Sequence, residues 1–420
     1  MFSDDFMQDG WAGQRFKTGP SGPTLGLAMI MKNEANNLPY SLGPLAGLLD
    51  EMVVVDTGST DASAEMAAAY GAKVVHTHWN DDFSQARNFG LDFMTTDFIL
   101  WLDADNSLTV TDLAMIRDRL GSGGLIFTAT EVVVPQGDRL WQKRVFANSP
   151  EARFQGRIHE QLTHPPEWPV VHTPAEIRHW GYADGKQARE KGHRNLQLLI
   201  SDPQTAAGDF YHLYQTGRTL FNLRYFKEAK DYLNGAAEAG LLGTGLSEAG
   251  QAENVLLESP SLWSHSLILL SQTHQRLGDY ALAEECLRYL CRARPGYGPG
   301  RAYLGRLLAE SGRNEECVSQ LTKALALGCG DPGWGADHRK LGFVSASLLA
   351  KANATLGRHR EARKAWEEAV RLNPEHPEPY VALAESLITE GDTPKARLLL
   401  AEAIRLSPTH RRALNMEASL

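Results

Sequence analysis

Up to about Ile200 the chain alternates short apolar runs with stretches of mixed polarity. Leu25 to Met31 predicts a first strand, followed by a turn and a helix from Glu34 to Leu49. Glu51 to Val55 predicts a second strand. It closes on Asp56-Thr57-Gly58-Ser59-Thr60-Asp61, where turn residues supply a helix N-cap ahead of Ala62 to Tyr70. Lys73 to His76 predicts a third strand, Phe83 to Phe93 a helix, and Phe98 to Leu102 a fourth strand. That last run is apolar without alternation, as in a strand buried on both faces of a parallel sheet. The alternation as a whole predicts an α/β domain, a mostly parallel sheet with helices on both faces.

From Asp209 the pattern becomes helix after helix, and a repeat emerges. Small residues at Ala229, Ala283, Cys317, Ala362 and Ala396 each follow another small residue, twelve positions earlier, at Gly217, Ser271, Gly305, Ala350 and Ala384. Four positions after each anchor stands a large apolar residue: Leu233, Leu287, Leu321, Trp366 or Leu400. Ala283 and Cys317 are 34 residues apart, as are Ala362 and Ala396; the two longer gaps, 54 and 45 residues, read as insertions. A period of 34 with this small/large code resembles the tetratricopeptide repeat and predicts an all-α solenoid of about five units. Each unit would bury its apolar face only by stacking on its neighbours, leaving a concave surface. By analogy with the fold, that surface is expected to bind protein or peptide.

The chain has 420 residues, room for two or three domains, and 43% hydrophobic with 22% charged residues is ordinary for a globular protein. The expected division is an arm over 1–23, the α/β domain over 24–204 and the solenoid over 205–420. A net charge of −9 argues against wholesale binding to nucleic acid or an anionic membrane. No apolar run approaches the roughly 18–20 residues that cross a bilayer. Met1 to Pro23 carries Asp4, Asp5 and Asp9 and no apolar core, so it is not read as a secretory signal. The four cysteines lack metal or disulfide spacing and are expected to be reduced thiols of a cytoplasmic protein.

The chemistry concentrates where the fourth strand ends in Asp103-Ala104-Asp105. In open α/β sheets ligands sit beyond the carboxyl ends of the strands. Two carboxylates there suit a hard divalent cation, Mn²⁺ or Mg²⁺, which often bridges to the phosphates of a nucleotide. This expectation requires oxygens that face a cleft rather than being locked in pairs with neighbouring cations.

Four ordered motifs accompany that pair: Met31-Lys32-Asn33-Glu34, Val53 to Asp61, Trp79 to Asn88, and Leu102-Asp103-Ala104-Asp105. With them, Leu25 to about Leu199 resembles the family 2 glycosyltransferases of the GT-A fold, most closely the subgroup joined to tetratricopeptide repeats, some of whose members glycosylate peptides or proteins. The resemblance implies an inverting, metal-dependent transfer from a nucleotide-sugar donor, with UDP the expected nucleotide, to a peptide, protein or other acceptor. It implies that Asp56 accepts from the nucleobase, although an Asx-turn explains the same residue. Glu34 is expected near the nucleoside or, alternatively, in the acid-favouring first turn of a helix. Arg87 is expected at phosphate or base, with a surface salt bridge as the alternative, while Asn88 reads as a tie between loops.

Asp103 and Asp105 are the expected metal and donor ligands, Asp105 the more direct. Arg153 to Glu160 resembles the segment after the acceptor-side strand, which makes Glu160 the candidate general base and His159 its neighbour for orientation or phosphate contact. The family's common Glu-Asp pair is absent, and Glu160 could equally be the structural partner of Arg157 or another cation. His179, in His179-Trp180-Gly181-Tyr182, is the candidate third metal ligand or a core histidine. Trp141, Trp168 and Trp180 could stack on a sugar or serve as core. Basic residues also cluster over Arg139 to Arg157 and Lys186 to Arg194, where they could flank a diphosphate. The Gln-x-x-Arg-Trp pattern of processive synthases is absent. Two other classes stay open: an inactive scaffold whose repeats bind a protein partner, and a nucleotidyltransferase, which would want a Gly-rich basic loop where Met31-Lys32-Asn33-Glu34 stands.

Overall fold

The structure, a computed structural model, describes residues 22–134, 138–180, 185–243 and 260–420. Most of the expected N-terminal arm lies outside the described residues. The chain divides into two compact units: residues 1–137 with 141–191, and residues 138–140 with 192–420.

In the first unit the elements run β1 (Leu25–Met31), α1 (Leu38–Ser41), β2 (Glu51–Asp56), α2 (Ser63–Ala69), β3 (Lys73–His76), α3 (Phe83–Leu91) and β4 (Phe98–Asp103). Then come β5 (Asn106–Leu108), α4 (Val110–Leu120), β6 (Ile126–Val133), β7 (Asp138–Ala147), β8 (Arg153–Gln155), β9 (Gln161–Thr163) and β10 (Val170–His179); α5 (Gly185–Ser201) begins in this unit and continues into the second from Gly192. One sheet has the order β3-β2-β1-β4-β7-β6-β10-β5, and β8 and β9 form a separate hairpin. β1 pairs in parallel with both β2 and β4, so the chain leaves the sheet centre in one direction and later returns to its other side. That reversal creates a crevice past the ends of β1, where ligands bind in sheets of this kind. The register sets Asp56 opposite Met31 and Asp103 opposite Ile30, on the two flanks of the crevice.

The core explains the strands. Leu25, Leu27, Val53, Val54, Leu100 and Leu102 are fully buried, which requires apolar side chains on both faces of the central strands. The long helix expected over Glu34 to Leu49 is corrected to α1 and a single 3₁₀ turn over Gly43–Leu45. Pro44 has no amide hydrogen to continue a helix and disfavours helical backbone at Gly43, so the segment breaks there.

The second unit holds α6 (Pro203–Ala206), α7 (Phe210–Asn222), α8 (Phe226–Gly243), α9 (Pro260–Leu277), α10 (Tyr280–Ala293), α11 (Gly298–Glu310) and α12 (Asn314–Leu327). It continues with α13 (His338–Thr355), α14 (His359–Leu372), α15 (Pro377–Thr389), α16 (Thr393–Leu406) and α17 (Arg411–Ala418). Five helical hairpins, α7/α8 to α15/α16, carry the repeat. All five anchors are buried on the second helix of their hairpin. The small/large code is a physical contact: a Cβ added at Gly217 would lie 2.7 Å from Leu233, and one at Gly305 would lie 2.3 Å from Leu321. The first insertion falls in residues outside those described; the second is the loop between α12 and α13, pinned by an Asp331–Ala336 bridge and by Tyr297 donating to Asp331 at 2.8 Å.

Candidate active site

The loops after β1 and β2 are laced together at the crevice. Asn33, in a left-handed conformation with φ 57°, accepts from the Thr60 amide at 2.7 Å, and the Glu34 amide donates to the Ser63 hydroxyl at 2.8 Å. Asp56 is buried. Its Oδ1 accepts from the amides of Gly58 and Ser59 at 3.1 and 2.8 Å, the Asx-turn that the sequence left open. Its Oδ2 faces His76 Nδ1 at 3.3 Å. Glu34 accepts from the Asn37 amide at 2.6 Å; burial raises its pKa, and the neighbouring carboxylates of Asp105 and Asp103 push the same way.

At the end of β4 a chain of charges runs Glu160–Arg87–Asp103–Arg144–Glu131, with both arginines buried and Asp103 partly exposed. Arg87, on α3, donates from Nε to Glu160 at 2.5 Å and from Nη2 to Asp103 at 2.6 Å. Arg144, on β7, donates to Glu131 on β6 and lies 3.7 Å from the other Asp103 oxygen. Both guanidiniums meet the Trp101 ring, Arg87 at 4.5 Å and Arg144 at 3.9 Å from its centroid. Burial by itself raises the Asp103 pKa, but the two arginines outweigh it and hold the carboxyl at about 2.

Three sequence expectations change here. Arg87 is no surface salt bridge, since only 7% of its side chain is exposed. Asp103, expected as an open carboxylate, gives Oδ1 to Arg87 at 2.6 Å and lies 3.7 Å from Arg144 by Oδ2, so it is found paired with the two arginines. Glu160 is not a freely disposed base. The turn between β8 and β9, made possible by Gly156 at φ 100° and by His159 at φ 52°, delivers its carboxylate to Arg87 rather than to Arg157. The His159 carbonyl accepts from the Gln161 side chain at 3.2 Å. Asn88 ties α3 to β8 by exchanging two hydrogen bonds with the Phe154 backbone.

Asp105 stands apart from that chain. It lines a cleft of about 240 Å³ together with Asn37, Tyr40, Ala104, Asn106 and Trp180. Its Oδ1 lies 3.4 Å from His179 Nδ1 and its Oδ2 lies 3.3 Å from Lys191 Nζ. Burial raises the Asp105 pKa, and the contact with His179 more than offsets it; the His179 pKa is raised in turn by Asp105 against its own burial. Asn106 orients the imidazole. Its Oδ1 accepts from the Asp103 amide at 2.9 Å, which turns its Nδ2 towards His179 Nδ1 at 3.1 Å. With Asn106 donating, the single lone pair of a neutral His179 Nδ1 is engaged, and Nδ1 and the Asp105 oxygen face each other as two acceptors; a cation taking both would relieve that repulsion by replacing the Asn106 hydrogen bond.

Among the described residues no three His, Cys, Asp or Glu side chains are grouped to hold a metal ion. The Asp105–His179 donor set nevertheless fits a cation that takes its remaining ligands from water and substrate phosphates, the usual habit of Mg²⁺ at nucleotide sites. Trp180 is exposed at this cleft, Trp168 is core, and Trp141 is exposed against His172 elsewhere on the sheet. Gly181 and Tyr182 lie outside the described residues. Sequence reasoning missed Arg144, Glu131 and Asn106 as individual residues. The one available signal was an arginine leading into the apolar run Val145-Phe146-Ala147, where a charge implies a buried partner.

A mostly parallel sheet with an acidic crevice at its switch point, flanked by arginines, defines an α/β module carried with a helical-repeat solenoid. Residues 27–175 match the model of Glycosyl transferase family 2, and residues 264–297 and 348–411 match models of the Tetratricopeptide repeat. The chain thus contains a family 2 glycosyl transferase domain followed by tetratricopeptide repeats.

It is similar to a TPR repeat-containing protein of Synechococcus elongatus, 33% identical over 235 residues, covering 53% of this chain and 58% of that one. It is also similar to the SPbeta prophage-derived glycosyltransferase SunS of Bacillus subtilis, 23% identical over 222 residues, covering 50% and 52%. The chain thus spans a little over half the length of these relatives. Among solved structures, the TPR protein YrrB aligns with 50% of this chain and 93% of its own, at 14% identity and a TM-score of 0.37. Among the described residues no helix is long and apolar enough to cross a membrane.

Proposed function

We propose that the protein is a glycosyltransferase that moves a sugar with inversion from a nucleotide diphosphate, UDP in the first instance, to a peptide or protein acceptor engaged by the repeats. The observation that carries this reading is that Asp105, which lines the cleft beyond β4, meets His179 at 3.4 Å beside the Asp103–Arg87 pair. A divalent cation held there by Asp105 and His179 would act as a Lewis acid on the donor diphosphate. Arg87, fixed by two carboxylates and an aromatic face, presents a pre-positioned guanidinium that needs no reorganisation during reaction. Glu160 is read as acting through Arg87, as a positioning residue, and no other side chain is assigned as the base. Asp56 and Glu34 are read as the nucleoside side of the site, and the cytoplasm as its location.

Incubation with UDP-glucose or UDP-N-acetylglucosamine and Mn²⁺ is expected to give donor hydrolysis without acceptor. Asp105→Ala is expected to abolish it with the fold retained, because the side chain lies at a strand end and contributes little packing. Normal turnover by that variant would refute the site. The scaffold reading is favoured by one observation, the engagement of Asp103 and Glu160 by Arg87. It requires that neither donor be hydrolysed nor any nucleoside diphosphate be bound.

A further inference from the structure

Asp105, in the crevice described above, meets an ammonium. Lys191, on α5, reaches its Oδ2 at 3.3 Å, while His179 holds the other oxygen. Lys191 also acts on Glu34 by its charge, lowering that pKa against the rise that burial causes. Its side chain is 37% exposed against 13% for Asp105. The ammonium can therefore leave without opening a void, on a flexible four-carbon stem that carries a compact point charge. Arg87 differs on each count: it is buried, forked and held by two acids.

We propose that Lys191 is a displaceable counter-ion. It neutralises Asp105 while the crevice is empty, competes with a divalent cation for that carboxylate, and turns to the diphosphate oxygens of the donor once the cation has arrived. The ammonium repels a cation arriving at the same carboxylate and offsets the charge that would bind it, so the cation is held more tightly once the ammonium withdraws. A diphosphate brings anionic oxygens to the same place, and a lysine meets phosphate well as a point charge. The inference rests on the cation site proposed above and adds the residue that gates it.

The test measures Mn²⁺ binding to the full chain by the electron paramagnetic resonance of free Mn²⁺, without nucleotide, for the wild type, Lys191→Met and Asp105→Asn. Lys191→Met is expected to lower the Kd for Mn²⁺ roughly two- to fivefold, the worth of a partly exposed ion pair. With Mn²⁺ saturating, the same variant is expected to raise the Kd for UDP by about the same factor, and Lys191→Arg to stay near wild type on both readings. Unchanged or weaker Mn²⁺ binding by Lys191→Met, with binding lost in Asp105→Asn, overturns the competition and leaves the cation site standing. Tighter Mn²⁺ with unchanged UDP binding overturns the phosphate role. Equal Mn²⁺ binding by wild type and Asp105→Asn overturns both this inference and the cation site on which it rests.

Discussion

Replacing Arg87 by Met tests the charge chain most sharply, because it keeps length and apolar volume while deleting the cation. Arg87 lies 2.5 Å from Glu160 with 7% and 9% of the two side chains exposed, so neither charge has water to replace its partner. Removing one member of such a pair costs on the order of 3–5 kcal/mol, most of it the penalty of stranding the other charge. Glu160→Gln should cost less, about 1–2 kcal/mol, since Arg87 keeps Asp103 and the amide can still accept. The double variant should then cost less than the sum by about 2 kcal/mol.

Hydrogen exchange of the β4 and α3 amides is the suitable assay, because it reads the sheet unit alone where a two-unit chain need not unfold in one step. Additivity within about 0.5 kcal/mol would refute the pairing. In turnover, Glu160→Gln should raise the donor KM and lower kcat together if it acts through Arg87. Loss of kcat alone, with donor affinity unchanged, would return Glu160 to the role of base.

Asp103 predicts an acid-sensitive sheet unit. Its folded pKa of about 2 lies below the ordinary 3.8, so its stabilisation is present above pH 3.8 and is lost as pH falls through 2. The loss should be about 2 kcal/mol, and Asp103→Asn should flatten that segment of an acid titration followed by Trp fluorescence. In the solenoid, Gly305→Val should destabilise the α11/α12 hairpin by about 1–3 kcal/mol, because a Cβ would fall 2.3 Å from the fully buried Leu321. Hydrogen exchange confined to those two helices checks it, and wild-type protection there would count against the packing code.

The strands β1 to β4 were legible to within a residue, because a strand buried on both faces must be an uninterrupted apolar run, as Phe98 to Leu102 is. The repeat was legible for a similar reason: Gly217 and Gly305 are small because Leu233 and Leu321 occupy the space above them. What failed were features set by long-range geometry. The sequence left open that Glu160 pairs with a cation, but not that the cation is Arg87, 73 residues away, a choice made by the turn between β8 and β9. Arg144 meets Asp103 and Glu131 only because β7 lies between β4 and β6, which no local spacing encodes. The Glu34 to Leu49 helix failed on a local signal given too little weight, the Gly43-Pro44 break.

The most direct measurement of the central claim is the melting temperature of the chain with UDP and Mn²⁺, for the wild type and Asp105→Ala, each with and without EDTA. A ligand at about a hundred times its Kd stabilises the native state by about 2.7 kcal/mol, a shift of a few degrees. The account predicts that shift for the wild type with Mn²⁺, and its loss on adding EDTA or removing the Asp105 carboxylate. An equal shift in all four conditions, or none with any nucleoside diphosphate, would contradict it.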